Sequence, residues 1–345
     1  QPAGAGRAPG ALALGRGRPC GGVDAGGRIL GRAYVLPTQS PILCIGGANI
    51  DRKLRTLGAL QMGTSNPAVQ SETPGGVARN VAENLARLGL PVQLITAVGD
   101  DAAGRSLLEH AAAAGLSTQG SLVASDEATG SYTAVLDDNG QMLLALAAMP
   151  LAARLTPEFL RRSALLRTQA RLTLCDLNLP AESLALLVQE ALERGGTLLA
   201  VAVSAPKMER LPQDLRGLQC LILNEGELRA VAPQQDQALA ALHRRGLRQI
   251  VLTQGPAGVI CSQAGQEPQH LTPPAVQVVD VTGAGDAFSA GVCAGLYQDP
   301  QDLLSACRLG LQLAALTLQT EATVHPELGP RWLNAPLQDT EERSP

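Results

Sequence analysis

The sequence predicts an α/β fold: a central, mostly parallel sheet with helices on both faces and a small β lid. Three observations carry that expectation. Short apolar runs closed by glycine or a polar residue alternate with stretches of helical apolar spacing. Hydrophobic residues make up 45% of the 345 residues, enough for a large buried core. Two segments break the rhythm with extended, turn-rich patterns, as a flap outside the main sheet would.

The elements follow in chain order. Residues 1–40 hold ten glycines, four prolines, five arginines and one acid, Asp24, and show no periodicity. Such a segment buries too little surface to order itself, so a disordered tail or linker is expected. A transit peptide shares the arginines but is serine-rich, and only Ser40 is present. Ile42-Leu43-Cys44-Ile45, closed by Gly46-Gly47, reads as a buried strand. Residues 51–71, with Ser65-Asn66-Pro67, form the first lid segment. Val77, Val81, Leu85 and Leu88 recur at helical spacing and stop at Gly89. Val92, Leu94, Thr96 and Val98 alternate as one strand, and a helix runs on through His110 to Ala114. Residues 129–147 form the second lid segment, where Ser131–Leu136 and Gln141–Leu146 flank Asp137-Asp138-Asn139-Gly140, a hairpin signal. Further strands are expected at Leu172–Cys175, Leu198–Val203, Cys220–Leu223 and Ile250–Thr253, with helices at Ala181–Arg194 and Gln237–Arg245. One domain therefore spans 41–330, and 331–345 is a tail.

Composition excludes several function classes. The charge is 27 − 31 = −4 and aromatics are 2%, so neither a basic face nor a stacking platform for nucleic acid is expected. No apolar run reaches the length of about 18 residues that a membrane span needs. The only lysines are Lys53 and Lys207, and neither follows a glycine, so a Walker A loop is excluded. Seven scattered cysteines without a CxxC pair read as reduced, buried thiols, in a cytoplasmic or mitochondrial setting. The four histidines sit far apart and form no HExxH.

The chemistry concentrates in Asp280-Val-Thr-Gly-Ala-Gly-Asp286. An apolar strand runs into Gly283-Ala284-Gly285, and a small-residue helix follows. Backbone N–H groups at such a helix start converge on an anion, aided by the helix dipole. A carboxylate there, Asp286, suits a proton acceptor for phosphoryl transfer. A helix N-cap after a glycine turn is the plainer alternative.

Four further segments tip that balance. Gly75-Gly76-Val77-Ala78-Arg79-Asn80 opens a helix with a glycine pair and an asparagine. Gly47-Ala48-Asn49-Ile50-Asp51 ends the first strand. Asn224-Glu225-Gly226-Glu227 is an N-x-x-E, and Thr253-Gln254-Gly255-Pro256-Ala257-Gly258 is a T-x-G-x-x-G. In this order they resemble the PfkB (ribokinase-like) carbohydrate kinases across about residues 41–328. Within that family the chain resembles the pseudouridine-phosphorylating subgroup through Ser65-Asn66-Pro67, Ser131-Tyr132 and Val203-Ser204-Ala205-Pro206-Lys207. It departs from that subgroup at Val201-Ala202 and Ala148-Met149.

The resemblance implies a three-layer sandwich and ATP-dependent phosphorylation of the pseudouridine 5′-hydroxyl. Another ribose or nucleoside acceptor (ribose, adenosine) and a non-catalytic nucleoside-binding relative are the alternatives. It makes Asp286 the base and Gly283, Ala284 and Gly285 the anion hole. Asn49, Asp51, Gly75, Gly76, Asn80 and Ser131 would bind the sugar. Asn224, Thr253, Gly255 and Gly258 would hold ATP. Asn224 and Glu227 would order magnesium and its waters, and Asp280 and Thr282 match positions that hold an activating monovalent cation, potassium. The resemblance also leaves room for a homodimer through the lid and for a fused or partner pseudouridine-phosphate glycosidase. The reading requires residue 286 to share one cleft with residues 51, 80 and 255.

Overall fold

A computed structural model describes residues 40–232, 237–334 and 342–343. The tail expected over residues 1–40 therefore lies, except for Ser40, outside the described residues.

The chain enters through β1 (Ile42–Ile45), which is wholly buried. It then leaves the sheet as a hairpin, β2 (Asn49–Thr56) and β3 (Ala68–Gly75), and returns as α1 (Val77–Arg87). β4 (Val92–Ile95) and β5 (Ala97–Gly99) come next, then α2 (Ala102–Ala113) and β6 (Leu122–Ala124). A second hairpin follows, β7 (Ser131–Leu136) and β8 (Met142–Ala148). The short helices α3 (Pro157–Arg162) and α4 (Ala164–Gln169) lead to β9 (Leu172–Asp176), α5 (Ala181–Arg194) and β10 (Thr197–Val201). Then come β11 (Cys220–Asn224), α6 (Glu225–Val231), α7 (Ala238–Arg244) and β12 (Gln249–Thr253). β13 (Val259–Gln263), β14 (Gln269–Leu271), α8 (Ala284–Gln298), α9 (Leu303–Thr317) and a two-residue strand β15 (Glu342–Arg343) complete the order.

The main sheet runs β15-β14-β13-β12-β11-β10-β9-β1-β4. From β12 to β4 every pairing is parallel, and β13 to β15 add an antiparallel edge. Alternation along each strand sends residues to opposite faces, and this builds two cores. Ile42, Cys44, Leu172 and Leu174 join α1, α8 and α9 on one face, while Leu43, Ile45, Cys175 and Leu184 pack on the other. Each fully buried leucine contributes about 2 kcal/mol of transfer free energy, which makes the sheet a rigid support.

One expectation is corrected here. Val92–Val98 is not one strand: the chain changes partner at Thr96, so β4 pairs β1 in the main sheet while β5 pairs β6 in a separate ribbon. Alternating apolar residues on both sides of Thr96 conceal that switch, because each half is buried against a different neighbour.

The two hairpins form a four-stranded sheet of order β3-β2-β7-β8. Its turn at Asp137–Gly140 is fixed by Asp137 Oδ1, which accepts from the backbone N–H groups of Asn139 and Gln141 at 2.9 and 2.8 Å. Along β8, Met142, Leu143, Leu144 and Leu146 are all exposed.

Candidate active site

The sheet order reverses direction between β1 and β9, and ligands of open α/β sheets bind in the crevice at the carboxyl ends of the strands beside such a switch. A cavity of about 430 Å³ sits there, lined by residues from both hairpins and both sheet halves.

Bonded to two of its lining residues, Gly47 and Asn178, is Asp176, the last residue of β9 and fully buried. Its carboxylate accepts from the backbone N–H groups of Gly47 at 2.9 Å, Ala78 at 3.0 Å and Asn178 at 2.9 Å. Three chain segments are thereby tied to one side chain. Burial pushes the Asp176 carboxyl up from its ordinary value, against the pull of those donors.

Gly76 caps α1 at φ 99°, a left-handed conformation that L side chains rarely adopt. A Cβ there would stand 2.4 Å from the Gly47 carbonyl oxygen, so the two glycine turns interlock. From this helix start Asn80 reaches the cavity and donates to Asp286 Oδ2 at 2.6 Å. Arg79 donates to the Asn80 amide oxygen, fixing which way the amide points. The buried Arg79 guanidinium is itself held by Glu83 at 2.6 Å and by the Gly75 and Pro74 carbonyls.

Asp286 lies in the first turn of α8, whose N-cap Gly283 is left-handed at φ 82° and closely backed by the Thr323 carbonyl oxygen. Around Gly285 there is open space, so an anion can approach the backbone. Burial pushes the Asp286 carboxyl up to about 7; the Asn80 amide and the Arg79 guanidinium oppose this, and the Asp51 and Asp176 carboxylates reinforce it. A carboxyl poised there is suited to taking a proton near neutral pH.

Asp51, on β2, accepts from the Asn49 amide at 2.6 Å, and burial raises its carboxyl above the ordinary value. Gly75 lets it fit: a Cβ at that position would stand 2.2 Å from Asp51 Oδ2.

Of the residues that the motifs single out, Asn49, Asp51, Gly76, Asn80, Thr282, Gly283 and Asp286 line this one cavity. Gly75, Ala284 and Gly285 flank it in sequence. Ser131 sits between two lining residues, Gly130 and Tyr132, in register with Ile50 and Ala148. Gly255 does not line it. Asn224 and Thr253 instead pair in register at the ends of β11 and β12, and Gly255 and Gly258 form the turn after β12, where the Gln254 N–H donates to the Gly258 carbonyl at 2.8 Å. Residue 286 thus shares the cleft with residues 51 and 80, while residue 255 belongs to the neighbouring strand-end cluster.

Asn224 and Glu227 form a reciprocal capping box: Asn224 Oδ1 accepts from the Glu227 N–H at 2.9 Å, and Glu227 Oε2 accepts from the Asn224 N–H at 2.8 Å. Glu227 is 5% exposed, burial raises its carboxyl, and it has no ion pair among the described residues. Its second oxygen remains for a cation or the water of one, so the donor set fits a hydrated divalent ion.

Asp280 and Thr282 carry a different cation. Lys53, from the hairpin strand β2, donates to Asp280 Oδ2 at 2.8 Å and to Thr282 Oγ1 at 3.3 Å. Asp280 Oδ1 accepts from the Thr282 N–H and hydroxyl at 2.8 and 2.7 Å. Both carboxylate oxygens are engaged, so the side chains present do not fit the expected potassium ion.

The sequence motifs miss Asp176 and Asn178. Asn178 lines the cavity and accepts from Lys207, which lines it too. The available signal is a polar pair, Asp-x-Asn, closing an apolar strand, the reverse of the Asn49-x-Asp51 pair that opens β2.

Comparison with known proteins gives consistent relatives. The profile described as pfkB family carbohydrate kinase matches residues 39–328. The pseudouridine kinase of Escherichia coli is 33% identical over 294 residues, which is 83% of this chain and 93% of that protein. A solved carbohydrate kinase from Agrobacterium tumefaciens superposes with a TM-score of 0.75 and 34% identity, covering 86% of this chain and 96% of that one. The ribokinase of Arabidopsis thaliana complexed with ribose and ATP superposes with a TM-score of 0.76 at 22% identity, a likeness of fold, and covers 87% of this chain and 99% of that one.

Proposed function

This chain belongs to the pfkB family of carbohydrate kinases, a sugar or nucleoside kinase with ATP as phosphoryl donor, and on that premise we propose that it phosphorylates the 5′-hydroxyl of pseudouridine. The observation that carries the proposal is the convergence of Asp286, Asn80 and Asp51 on one cavity whose lining also includes Asn178 and Lys207. A ribose alone is matched by the acidic and amide groups near Asp51. A base that presents both N–H and C=O edges calls for further polar groups, and Asn178 and Lys207 supply them. The identity to the Escherichia coli pseudouridine kinase supports the same substrate.

The mechanism follows from the chain's own groups. Asp51, steadied by the Asn49 amide, accepts from the ribose hydroxyls as a paired acceptor. That contact orients the 5′-hydroxyl toward Asp286. Asn80 occupies Asp286 Oδ2, which leaves Oδ1 to take the proton as the oxygen attacks the terminal phosphorus and ADP departs with the electron pair of the bond that breaks opposite it. The N–H groups of the first turn of α8, from Gly283 to Gly285, receive the charge that builds on the moving phosphoryl group. The lid excludes water, and so limits hydrolysis of ATP. We place the nucleotide at Asn224, Thr253, Gly255 and Gly258, with Ser131 at the lid edge of the sugar pocket. Magnesium, held near Asn224 and Glu227, would neutralise phosphate charge.

The exposed apolar strand β8 supports a homodimer formed lid to lid, since an uncovered apolar edge strand favours pairing. No described helix is long and apolar enough to cross a membrane. The described cysteines are free and buried, and on that ground we assign the protein to the cytoplasm, with the mitochondrion as the alternative.

The test is a panel of pseudouridine, uridine, ribose, adenosine and inosine with ATP, read as ADP release and as mass of the product. Pseudouridine should give the highest kcat/KM. Equal values across the panel would remove the substrate assignment and leave a broad ribosyl kinase.

A further inference from the structure

We propose that Lys53 is a positioning residue: it couples closure of the lid to the phosphoryl-transfer loop and supplies, from within the chain, the positive charge that Asp280 needs. The inference rests on the phosphoryl-transfer reading above and deepens it.

The segment between β14 and α8 has no regular structure, and Val278, Val279 and Val281 on it are exposed. Few bonds hold it. The Val279 N–H donates to the Leu318 carbonyl at 2.8 Å, and Ala284 donates to Val281 at 3.3 Å. Asp280 folds back onto Thr282, and Lys53 clamps both. The next residue is Gly283, which begins the anion-binding turn. Lys53 stands on β2, two residues after Asp51 and in register with Ala134 of the second hairpin. The strand that reads the sugar thus also grips the loop that receives the phosphate.

Charge gives the grip a second role. Asp280 lies in the approach of a polyanion, and a bare carboxylate there repels it. Its side chain is 22% exposed and that of Lys53 is 37% exposed, so the pair is only partly screened. With the ammonium on Oδ2 and Thr282 on Oδ1, the charge is balanced without a metal ion.

The deciding experiment measures kcat and KM for wild type, K53M and K53R in potassium chloride and in tetramethylammonium chloride of equal ionic strength. Wild type should run at the same rate, within about twofold, in both salts. K53M should lose about ten- to a hundredfold in kcat in tetramethylammonium, with KM for the nucleoside little changed, as a misplaced loop predicts. Potassium should recover part of that loss, because it can take the place of the ammonium. K53R, which keeps the charge, should retain most of the rate, and its retention excludes a general loss of folding. The proposal is overturned if wild type gains tenfold or more from potassium, or if K53M matches wild type in tetramethylammonium. Wild type without any kinase activity would instead refute the functional reading on which it rests.

Discussion

The Asn80 amide donates to Asp286 Oδ2 at 2.6 Å across 206 residues of sequence, while its own oxygen is held by Arg79. This contact binds the glycine-pair helix α1 to the helix α8 that begins at the Gly283 turn. It also decides which Asp286 oxygen is left free.

Asp286→Asn should lower kcat by about 10²- to 10⁴-fold, the usual contribution of a positioned base. Nucleoside affinity, measured by calorimetry, should stay within a few-fold, since the amide keeps the shape of the carboxyl. A variant that keeps a tenth of the rate or more would exclude Asp286 as the base.

The pH dependence of kcat follows from the raised Asp286 carboxyl. A base works deprotonated, so the rate should rise with pH through about 7 and level off above it. Asn80 pulls that value down. Asn80→Ala should therefore move the acidic limb to higher pH, besides lowering the rate. An unmoved limb would assign the titration to another group.

Asp51→Asn should raise KM for the nucleoside by about ten- to a hundredfold, the worth of charged hydrogen bonds to hydroxyls. KM for ATP should hardly change, because Asp51 lines the cavity while the proposed nucleotide residues Asn224, Thr253, Gly255 and Gly258 do not. Parallel increases in both constants would argue for a collapsed lid instead.

Lys207→Met should discriminate between nucleoside and sugar. If Lys207 and Asn178 read the base, KM for pseudouridine rises while any turnover of free ribose is unaffected. An equal loss on both substrates would place Lys207 at the phosphates.

Asp176→Ala should cost about 3 kcal/mol or more, because three backbone donors lose a buried acceptor. For a chain of this size that corresponds to a fall in Tm of roughly 5–10 °C. Scanning calorimetry checks it. An unchanged Tm would show that water replaces the carboxylate.

Much of the candidate site was legible because its cavity-lining residues are written in contiguous segments. Gly75-Gly76 with Asn80, and Gly283 to Asp286, each carry a turn and a polar side chain that lines the cavity. The strand of origin was legible at β1, β9 and β12 for the same reason. What stayed hidden depends on partners far away in sequence. Lys53 meets Asp280 227 residues on, and Asp176 meets Gly47 across 129. Periodicity reports which face of an element is apolar, not which neighbour it meets, and so the change of partner at Thr96 passed unseen. Glu227 illustrates a third case: the family resemblance makes it a metal ligand, and the N-x-x-E spacing by itself builds a helix cap.

Asp176 accepts main-chain hydrogens from Gly47, Ala78 and Asn178, and this has an evolutionary corollary. Every residue type but proline offers such a hydrogen, so the bond itself selects no side chain at residue 78, where only the lack of space at a fully buried position favours a small one. An alignment column would record a preference for size there, and not the bond that helps nail the walls of the pocket together. Only the aspartate itself would stand out, as an acidic residue ending a greasy strand.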